Sequence, residues 1–422
     1  MLSWEYPPYV VGGLAAHVQG LARALAARGH KVTVLSQDGG VPREHEDQGV
    51  HVVRVGATPV RSPDFLGYVH QLNHLMLAKS LELVQQGRRF DIVHAHDWIV
   101  AFAASGLKQA LRRPLIATMH ATEFGRNNGL HNDEQRHISD IEWWLIYEAW
   151  RVVVCSFAMQ SELAHVFQVP TDKVRVIPNG IDVSGMQVRR DMELRRRYAA
   201  DDEEIVIFVG RLVWEKGIDT LLYALRQLVT VRPKVKLIVA GRGPIKEEME
   251  GLAGRLGIAG HVHFVGHVDA ETRDLLYGIA DVAAFPSRYE PFGIVALEAM
   301  AAGLPVVVGD VGGLKEIVGA DEVGLRIAPS SPGALSAALL TLLDDRRRAQ
   351  AMARRAKEKV QRVFTWSSVA ARTEQVYAEV LREYERSGWA VPPASDLRRE
   401  PAAMPAGRYG SDKGRHNAYV TR

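Results

Sequence analysis

Two glutamates, Glu290 and Glu298, lie where a short apolar run gives way to a helical pattern. They are eight residues apart, a little over two helical turns, so both carboxylates can face one cleft beside the start of a helix. The free N–H groups at that start and the positive end of the helix dipole suit an anion. Alone, such a pair is more often two solvated glutamates. With the loops described next, it predicts a nucleotide-sugar site.

Two charged residues, Arg211 and Lys216, occupy a loop between a predicted strand at 205–209 and a predicted helix at 220–228. A diphosphate needs bidentate recognition and charge neutralisation, which an Arg fork and a Lys point charge supply. Solvent-exposed loop charges are the ordinary alternative.

Two turns complete the pattern. Gly12 and Gly13 precede a predicted helix, and paired glycines let the backbone approach a phosphate or a sugar closely. Asn179 belongs to the turn 177–182, which follows a predicted strand at 174–176. The apolar positions of the predicted helix share one face: Leu14, Val18, Leu21 and Leu25.

With these motifs, the chain resembles the retaining GT-B glycosyltransferases of family 4, a group related to glycogen and starch synthases. The resemblance spans about residues 2–385 and rests on the segment 290–298, the loop 210–217 and the turn around Asn179. It implies a nucleoside diphosphate sugar as donor and a carbohydrate as acceptor. It also implies that neither a cofactor nor a metal is needed.

The resemblance assigns roles to individual residues. Arg211 and Lys216 would bind the diphosphate, Glu298 the ribose and Glu290 the sugar hydroxyls, while Asp97 would lie on the acceptor side. The residues with implied catalytic roles are Glu290, His120, Arg211 and Lys216. The residues implied in donor binding are Gly12, Gly13, Asn179, Arg211, Lys216, Glu290, Pro291, Phe292, Gly293, Ile294 and Glu298.

The rest of the chain supplies elements that can position these residues. Apolar strands alternate with helical patterns in both halves, which predicts two α/β domains, each a parallel, doubly wound Rossmann-like sheet, with a ligand cleft between them. We place the acceptor domain at 1–182 and the nucleotide-sugar domain at 183–385, with helices at 332–363 and 366–385. The resemblance implies that the last helix packs back on the first domain. We expect a disordered tail at 390–422, which is rich in proline and charge.

The N-terminus departs from this pattern. Only about three residues of Met1–Trp4 are available for the strand that should precede the glycine loop, whereas strands usually need about five. We therefore expect a short first strand or a start codon that is assigned late.

Composition excludes several classes of protein. The net charge is +3, and residues 391–422 account for it with six basic and three acidic residues, so the folded part is close to neutral and nucleic acid is not an expected partner. We expect neither a transmembrane segment nor a secretion leader, and we expect a cytoplasmic protein. Cys155 is the single cysteine and is predicted to be a buried structural thiol.

Two groups of residues have competing interpretations. His94 and His96 point to one side of a strand, but no third ligand accompanies them by spacing, so we favour a satisfied polar residue for His94 over a metal site. Trp143, Tyr147 and Trp150 have helical spacing. For them we favour core packing over a glycan-stacking platform.

The hypothesis is therefore a hexosyltransferase, with glucose from ADP- or UDP-glucose passing to an α-glucan. A GDP-mannose-dependent mannosyltransferase and a GT-B nucleotide-sugar epimerase remain alternatives, and a non-catalytic carbohydrate-binding relative would be expected to lack Arg211 and Lys216. No lysine context suggests the pyridoxal phosphate of a glucan phosphorylase. The sugar, the nucleotide, the acceptor and the oligomeric state stay open.

Overall fold

A computed structural model describes residues 1–38, 43–56, 60–319 and 322–390. The predicted disordered tail at 390–422 lies outside the described residues apart from Ala390. Within the described part, the chain forms two α/β units, each built on one sheet. The predicted pair of doubly wound domains is therefore confirmed.

The first unit contains an eight-stranded sheet in the order β3-β4-β2-β1-β5-β6-β7-β8. Every pairing in it is parallel except the edge pair β3 and β4, which is antiparallel, so the expectation of a wholly parallel first sheet is wrong at that edge. The strands are β1 (Leu2–Ser3), β2 (Val32–Gln37), β3 (Glu44–Asp47), β4 (Val50–Val55), β5 (Val93–His96), β6 (Leu115–Met119), β7 (Arg151–Val154) and β8 (Val174–Val176).

The second unit contains a six-stranded sheet in the order β11-β10-β9-β12-β13-β14, and all of its pairings are parallel. Most of its strand residues are apolar because helices cover both faces. The strands are β9 (Glu204–Val209), β10 (Val235–Ala240), β11 (Val262–Gly266), β12 (Val282–Phe285), β13 (Val306–Gly309) and β14 (Leu325–Ile327).

The connections between the strands are mostly helical. The first unit uses α1 (Gly13–Ala27), α2 (Phe65–Gln85), α3 (Ala101–Leu111), α4 (Glu123–Asn127), α5 (Asp133–Glu148) and α6 (Phe157–Phe167). In the second unit α7 (Met192–Arg196) precedes the first strand, and the connections contain α8 (Ile218–Val231), α9 (Lys246–Arg255), α10 (Ala270–Ile279), α11 (Ile294–Ala302) and α12 (Gly312–Val318). Three helices follow its last strand: α13 (Pro332–Asp344), α14 (Arg346–Val363) and α15 (Trp366–Arg386).

The predicted helix at 332–363 is two helices. Asp345 separates α13 from α14, and its carboxylate accepts a hydrogen bond from the Arg348 N–H at 2.9 Å. Side-chain capping of this kind satisfies N–H groups that the new helix leaves free. The prediction of one helix was wrong because an N-cap lies inside the periodic pattern.

The short first strand is confirmed. β1 has two residues and lies at the centre of its sheet, pairing with β2 and with β5. The residues that follow Ser3 lead directly from the carboxyl end of β1 into the loop that contains Gly12 and Gly13.

Helix α15 packs back on the first unit, as predicted. Its buried residues Val369, Val376 and Val380 belong to one apolar cluster with Val18 and Leu21 of α1. The backbone fixes its start, because the Ile181 N–H donates to the carbonyl of Phe364 at 2.9 Å.

Two of the packing predictions have opposite outcomes. Cys155 is buried, as predicted, and burial raises the pKa of its thiol. Trp143 and Tyr147 are 48% and 64% exposed, so the expectation that they pack in the core is wrong. Their helix instead buries the stripe Ile138, Ile141 and Leu145, and Trp150 follows the end of the helix.

The described helices include none whose length and apolar character would allow it to span a membrane.

Candidate active site between the two sheets

Glu290 and Lys216 meet at the carboxyl edge of the second sheet. Glu290 lies in the loop between β12 and α11 and is 8% exposed. Lys216 follows β9, and its Nζ lies 2.7 Å from the Glu290 carboxylate. The structure thus brings together two predicted catalytic residues that are far apart in the chain.

Glycines let this loop fold tightly against its neighbours. Gly293 adopts φ 109° at the N-cap of α11, a conformation that favours glycine. A Cβ at Gly313 would lie 2.4 Å from the Cα of Phe292. The segment Pro291–Ile294 is therefore held at the start of α11, where free N–H groups and the helix dipole favour a bound anion.

Glu298 lies one turn into α11, and its carboxylate is 2.7 Å from the guanidinium of Arg273 on α10. Burial raises the pKa of the Glu298 carboxyl, and the Arg273 charge opposes that rise. The pair fixes the direction of the carboxylate, which is the arrangement needed to hold a polar group such as a ribose hydroxyl.

Arg211 is a loop cation whose charge acts on the Glu5 carboxylate and helps to lower its pKa against the effect of burial. It is exposed and forms no ion pair with any residue that the structure describes. Arg288 is also a loop cation, but it pairs with Asp219 at 2.6 Å and lies 4.0 Å above the Trp214 ring. Arg211 can therefore contact a ligand, whereas Arg288 already contacts Asp219 and Trp214 within the protein.

The glycine loop contacts both units. The Glu5 carboxylate accepts the N–H groups of Val11 at 2.7 Å and Gly12 at 2.8 Å, and burial raises the pKa of Glu5. A Cβ at Gly13 would lie 3.3 Å from the Ile294 side chain. The start of α1 thus faces the start of α11, and both belong to the predicted donor set.

His120 and Asp97 lie at the ends of neighbouring strands in the first sheet. The Asp97 carboxylate accepts the His120 backbone N–H at 2.8 Å and lies 3.9 Å from Arg126. Burial raises the pKa of Asp97 to about 6 and lowers that of His120 to about 3. Asp97 also has φ 63°, and such strained backbone is concentrated at functional sites.

A layer of neutral histidines lies beneath His120. Nδ1 of His96 is 3.3 Å from Nε2 of His120, and Nδ1 of His17 is 2.9 Å from Oδ1 of Asn179. Burial lowers the pKa of His17 and of His96. Asn179 therefore contacts this layer, and its side chain is buried.

The same layer contains the residues that could hold a metal ion. His17, His96 and His120 each offer a nitrogen, and these atoms lie within 4.8 Å of one another. Among the residues that the structure describes, none forms a hydrogen bond with Nε2 of His17 or of His96. His94 is not part of this group, because its ring nitrogens pair with Tyr377 and Thr118 at 2.7 Å, which confirms its prediction as a satisfied polar residue.

Several contacts join the two units beside the site. The Ser156 hydroxyl donates to the Pro291 carbonyl at 2.8 Å, and the Tyr289 hydroxyl donates to the Glu162 carboxylate at 3.0 Å. Glu316 of α12 accepts the N–H of Ala158 at 2.8 Å. The backbone around Glu290 is therefore anchored to the first unit.

Sequence reasoning missed Glu5, Arg126, Arg273 and Tyr289. Arg126 had a local signal, because α4 begins three residues after His120 and carries one cation near its end. Glu5 had no such signal, because its partners are backbone N–H groups. Arg273 had none either, because its partner Glu298 is distant in the chain. Tyr289 stands beside Glu290 in the sequence, but its contact with the first unit depends on tertiary structure.

Two family models match the chain. The model described as Glycosyltransferase Family 4 matches residues 11–184, and the model described as Glycosyl transferases group 1 matches residues 191–359. The boundary between the matches lies in the segment that separates the two sheets.

Known proteins are similar to nearly the whole chain. An uncharacterized glycosyltransferase of Methanocaldococcus jannaschii is 37% identical over 89% of this chain and 97% of its own length. A glycogen synthase of Mycobacterium tuberculosis is 38% identical over 90% of this chain and 94% of its own. The solved structure of sucrose-phosphate synthase from Thermosynechococcus elongatus has a TM-score of 0.78 at 27% identity, covering 90% of this chain and 98% of that one.

Proposed function

This chain belongs to glycosyltransferase family 4 and is a hexosyltransferase with the GT-B fold, and we propose that it transfers glucose from ADP- or UDP-glucose to an α-glucan with retention of configuration. The observation that carries the proposal is the Glu290 and Lys216 pair at 2.7 Å, next to the start of α11 and on the same loop as Arg211, which forms no ion pair with any described residue. Similarity to a glycogen synthase supports glucose as the sugar.

The diphosphate leaving group gains negative charge as the bond to the sugar breaks. Arg211 can offer a fork of N–H donors, Lys216 a point charge, and Gly293 and Ile294 the start of a helix. Fixed positive groups of this kind stabilise a transition state without reorganisation, because they already point at the developing charge. Protein groups can therefore supply this stabilisation, and we propose that the reaction needs no metal.

Retention requires that the new bond form on the face from which the old bond leaves. In the proposed step, the bond between C1 of the sugar and the phosphate oxygen breaks, and a bond from C1 to the acceptor oxygen forms. The acceptor proton passes to the departing phosphate oxygen. Glu290 would hold sugar hydroxyls during this exchange, since Lys216 neutralises its charge.

His120 and Asp97 would face the sugar and the acceptor from the first unit. With its pKa lowered to about 3, His120 is a neutral imidazole at neutral pH, so it can donate or accept one hydrogen bond without adding charge. Asp97 is ionised above about pH 6 and can orient an acceptor hydroxyl. We place the reaction in the cytoplasm, where we expect the nucleotide sugar to be available.

The test is a screen of donors with a maltooligosaccharide acceptor. We expect chain extension with ADP- or UDP-glucose, a new α-anomeric signal by NMR, and a rate within about threefold of control in EDTA, because fixed protein charge stabilises the leaving group. Extension only with GDP-mannose would show that the transferred sugar is mannose and not glucose. Isomerised sugar nucleotide without any acceptor would indicate an epimerase, and loss of rate restored by Mn²⁺ would indicate the histidine layer as a metal site.

A further inference from the structure

We propose that His17, His96 and His120 bind a Zn²⁺ ion through one ring nitrogen each, and that the bound ion inhibits the transfer. The three nitrogens lie within 4.8 Å of one another. The ion acts here as an inhibitor and not as a cofactor, so it is compatible with a reaction that needs no metal. Only the inhibition rests on the proposed function, because the metal site follows from the side chains alone.

The separations between the three rings fit one small metal ion. Nδ1 of His96 lies 3.3 Å from Nε2 of His120, and a tetrahedral Zn²⁺ holds its ligand nitrogens about 3.4 Å apart. The ring centroid of His17 lies 4.5 Å from that of His120 and 5.4 Å from that of His96. Side-chain rotations that shorten the largest nitrogen separation by about 1.4 Å would therefore complete the set.

Hydrogen bonding prepares His17 as a ligand. Its Nδ1 lies 2.9 Å from Oδ1 of Asn179, and because an amide oxygen can only accept, Nδ1 carries the proton. Nε2 therefore keeps its lone pair, and no residue that the structure describes forms a hydrogen bond with it. A histidine that binds a metal ion usually donates its other ring N–H to an oxygen in this way.

His96 and His120 can also bind a cation without first losing a proton charge. Burial lowers the pKa of both rings, so both are neutral imidazoles at neutral pH, which is the form that binds metal ions. In either direction of the hydrogen bond between them, Nε2 of His96 has no partner among the described residues. Buried polar groups usually have partners, and an ion would supply one to this cluster.

The charges around the three histidines do not exclude a cation. After burial, the larger cause, the charge of Arg126 lowers the pKa of His120, but the guanidinium of Arg126 lies 3.9 Å from the Asp97 carboxylate. Asp97 is ionised above about pH 6 and offsets that charge. The Met1 amine also acts on His96, but burial lowers the pKa of that amine to about 5, so it is uncharged at neutral pH.

The cluster is accessible from one side and suits zinc better than magnesium. His120 is half-buried, whereas His17 and His96 are 3% and 0% exposed, so an ion would enter past His120. Three imidazoles with one open position form a ligand set that Zn²⁺ prefers, whereas Mg²⁺ prefers oxygen ligands. We therefore expect binding of Zn²⁺ and not of Mg²⁺.

A bound ion would remove His120 from the reaction. In the proposed reaction the neutral imidazole of His120 forms a hydrogen bond from the first unit to the sugar or the acceptor. A ring that is bound to Zn²⁺ would be held by the ion instead. Zn²⁺ should therefore lower the rate of transfer, and a chelator should restore it.

The first experiment measures metal binding without donor or acceptor. After dialysis against EDTA, the unaltered protein should bind about one Zn²⁺ per chain by calorimetry and no Mg²⁺, and Co²⁺ should give the intense visible absorption of tetrahedral coordination. His17→Gln and His96→Gln should each weaken Zn²⁺ binding by about 100-fold or more, because each removes a ligand. Asn179→Ala keeps all three ligands and should weaken binding by about tenfold, because it removes the oxygen that orients His17.

His137→Gln is the matched control, since His137 is an exposed histidine of α5. Its Kd for Zn²⁺ should equal that of the unaltered protein. Equal Kd values in all of the variants would overturn the metal site. The Co²⁺ spectrum decides without any variant, because the absence of intense visible bands from the unaltered protein would also overturn it.

The second experiment measures the rate of transfer at a donor concentration below KM. Free Zn²⁺ at ten times its Kd should lower the rate of the unaltered protein about fivefold or more, because about 90% of the chains would hold the ion. His17→Gln keeps His120, and its rate should stay within about twofold of its own rate without Zn²⁺ because binding is weakened. This comparison also controls for Zn²⁺ that binds the donor in solution.

Equal inhibition of His17→Gln and the unaltered protein, or Zn²⁺ binding without any loss of rate, would overturn the inhibition through His120. If the unaltered protein transfers no glucose from ADP- or UDP-glucose, the proposed function has failed. The binding experiment uses neither substrate, so it would still decide whether the three histidines bind Zn²⁺.

Discussion

Lys216 and Arg211 belong to one loop but differ in what they contact. Lys216 is paired with Glu290, whereas Arg211 is exposed and has no ion pair within the described residues. Both would bind the diphosphate in the proposed reaction. Their removal should therefore have the same effect on catalysis and different effects on stability.

Arg211→Ala should lower kcat/KM by about 30- to 900-fold, equivalent to about 2–4 kcal/mol of lost transition-state stabilisation, with an unchanged melting temperature. Lys216→Ala should lower kcat/KM as much and also lower the melting temperature, because it leaves a buried carboxylate without its cation. Initial rates and calorimetry measure both. Lys246→Ala, which removes a cation from the exposed pair with Glu250, is the control, and near-normal turnover in Arg211→Ala would refute the assignment.

We expect the activity to decrease at low pH because Asp97 becomes protonated; this part of the pH profile is called here the acid limb. Its pKa of about 6 means that the carboxylate is lost as pH falls through 6, while His120 stays neutral down to about pH 3. We expect kcat/KM of the unaltered protein to fall below about pH 6. Asp97→Asn should be slower and should show no such limb, and a limb that persists in this variant would assign it to another group.

The pH dependence of the free energy of unfolding tests the pKa of Asp97 independently of activity. The folded pKa of Asp97 lies above its ordinary value of 3.8, so its stabilising contribution is complete below about pH 4 and is lost as pH rises through 6. The unaltered protein should therefore lose free energy of unfolding between pH 4 and pH 7, whereas Asp97→Asn should not. The difference in favour of the variant should grow by up to about 3 kcal/mol over this range. Chemical denaturation at several pH values measures the difference.

The contact between α1 and α15 depends on the absence of a side chain at Gly20. A Cβ there would lie 2.1 Å from Cε2 of Trp366. Gly20→Ala should destabilise the protein by about 1–3 kcal/mol through overpacking. In the Trp366→Leu background the same change should cost less, because the clash is gone, and equal costs in the two backgrounds would contradict this packing.

Gly254→Ala is the control for that series. Gly254 lies in α9, and a Cβ there would meet nothing within 4 Å. This substitution should be neutral or stabilising by up to about 1 kcal/mol, because alanine has the higher helix propensity. Denaturant midpoints for all variants give the comparison.

The elements were predictable where one local pattern decides the structure. β8 has the predicted bounds 174–176, and β9 begins one residue before the predicted strand at 205–209, because apolar runs between turns favour buried strands. β3 was missed because Glu44–Asp47 is polar and lies at a sheet edge. Trp143 and Tyr147 were misplaced because two stripes compete for burial on α5, and the sequence does not say which one meets the sheet.

The candidate site was predictable as a set of loops but not as a set of contacts. The strand-to-helix loops that carry Arg211, Lys216 and Glu290 have local signals, and parallel sheets bring such loops to one edge. The partner of Glu298 is Arg273, and the holder of the glycine loop is Glu5. Neither contact corresponds to a recognisable spacing in the sequence, so it can be identified only from the folded structure.

At the scale of the whole molecule, the two units are held together next to the reaction site. The Tyr289 hydroxyl reaches Glu162 at 3.0 Å. Glu316 of the second unit accepts the N–H groups of Phe157 and Ala158 at the start of α6, at 3.1 and 2.8 Å. A closed arrangement excludes water from a nucleotide sugar and so limits its hydrolysis.

The last prediction concerns this closure. The double variant Tyr289→Phe, Glu316→Gln removes the Tyr289 hydroxyl and the Glu316 charge, and hydrogen bonds to charged groups contribute about 1.5–3 kcal/mol each. Without ligand, its radius of gyration in X-ray scattering should exceed that of the unaltered protein, and saturating nucleotide should remove the difference. Its KM for the donor should rise roughly tenfold, because part of the binding energy must now close the units. Glu250→Gln changes an exposed glutamate of the same unit and should alter neither quantity. Equal radii for the double variant and the unaltered protein would show that these contacts do not hold the units closed.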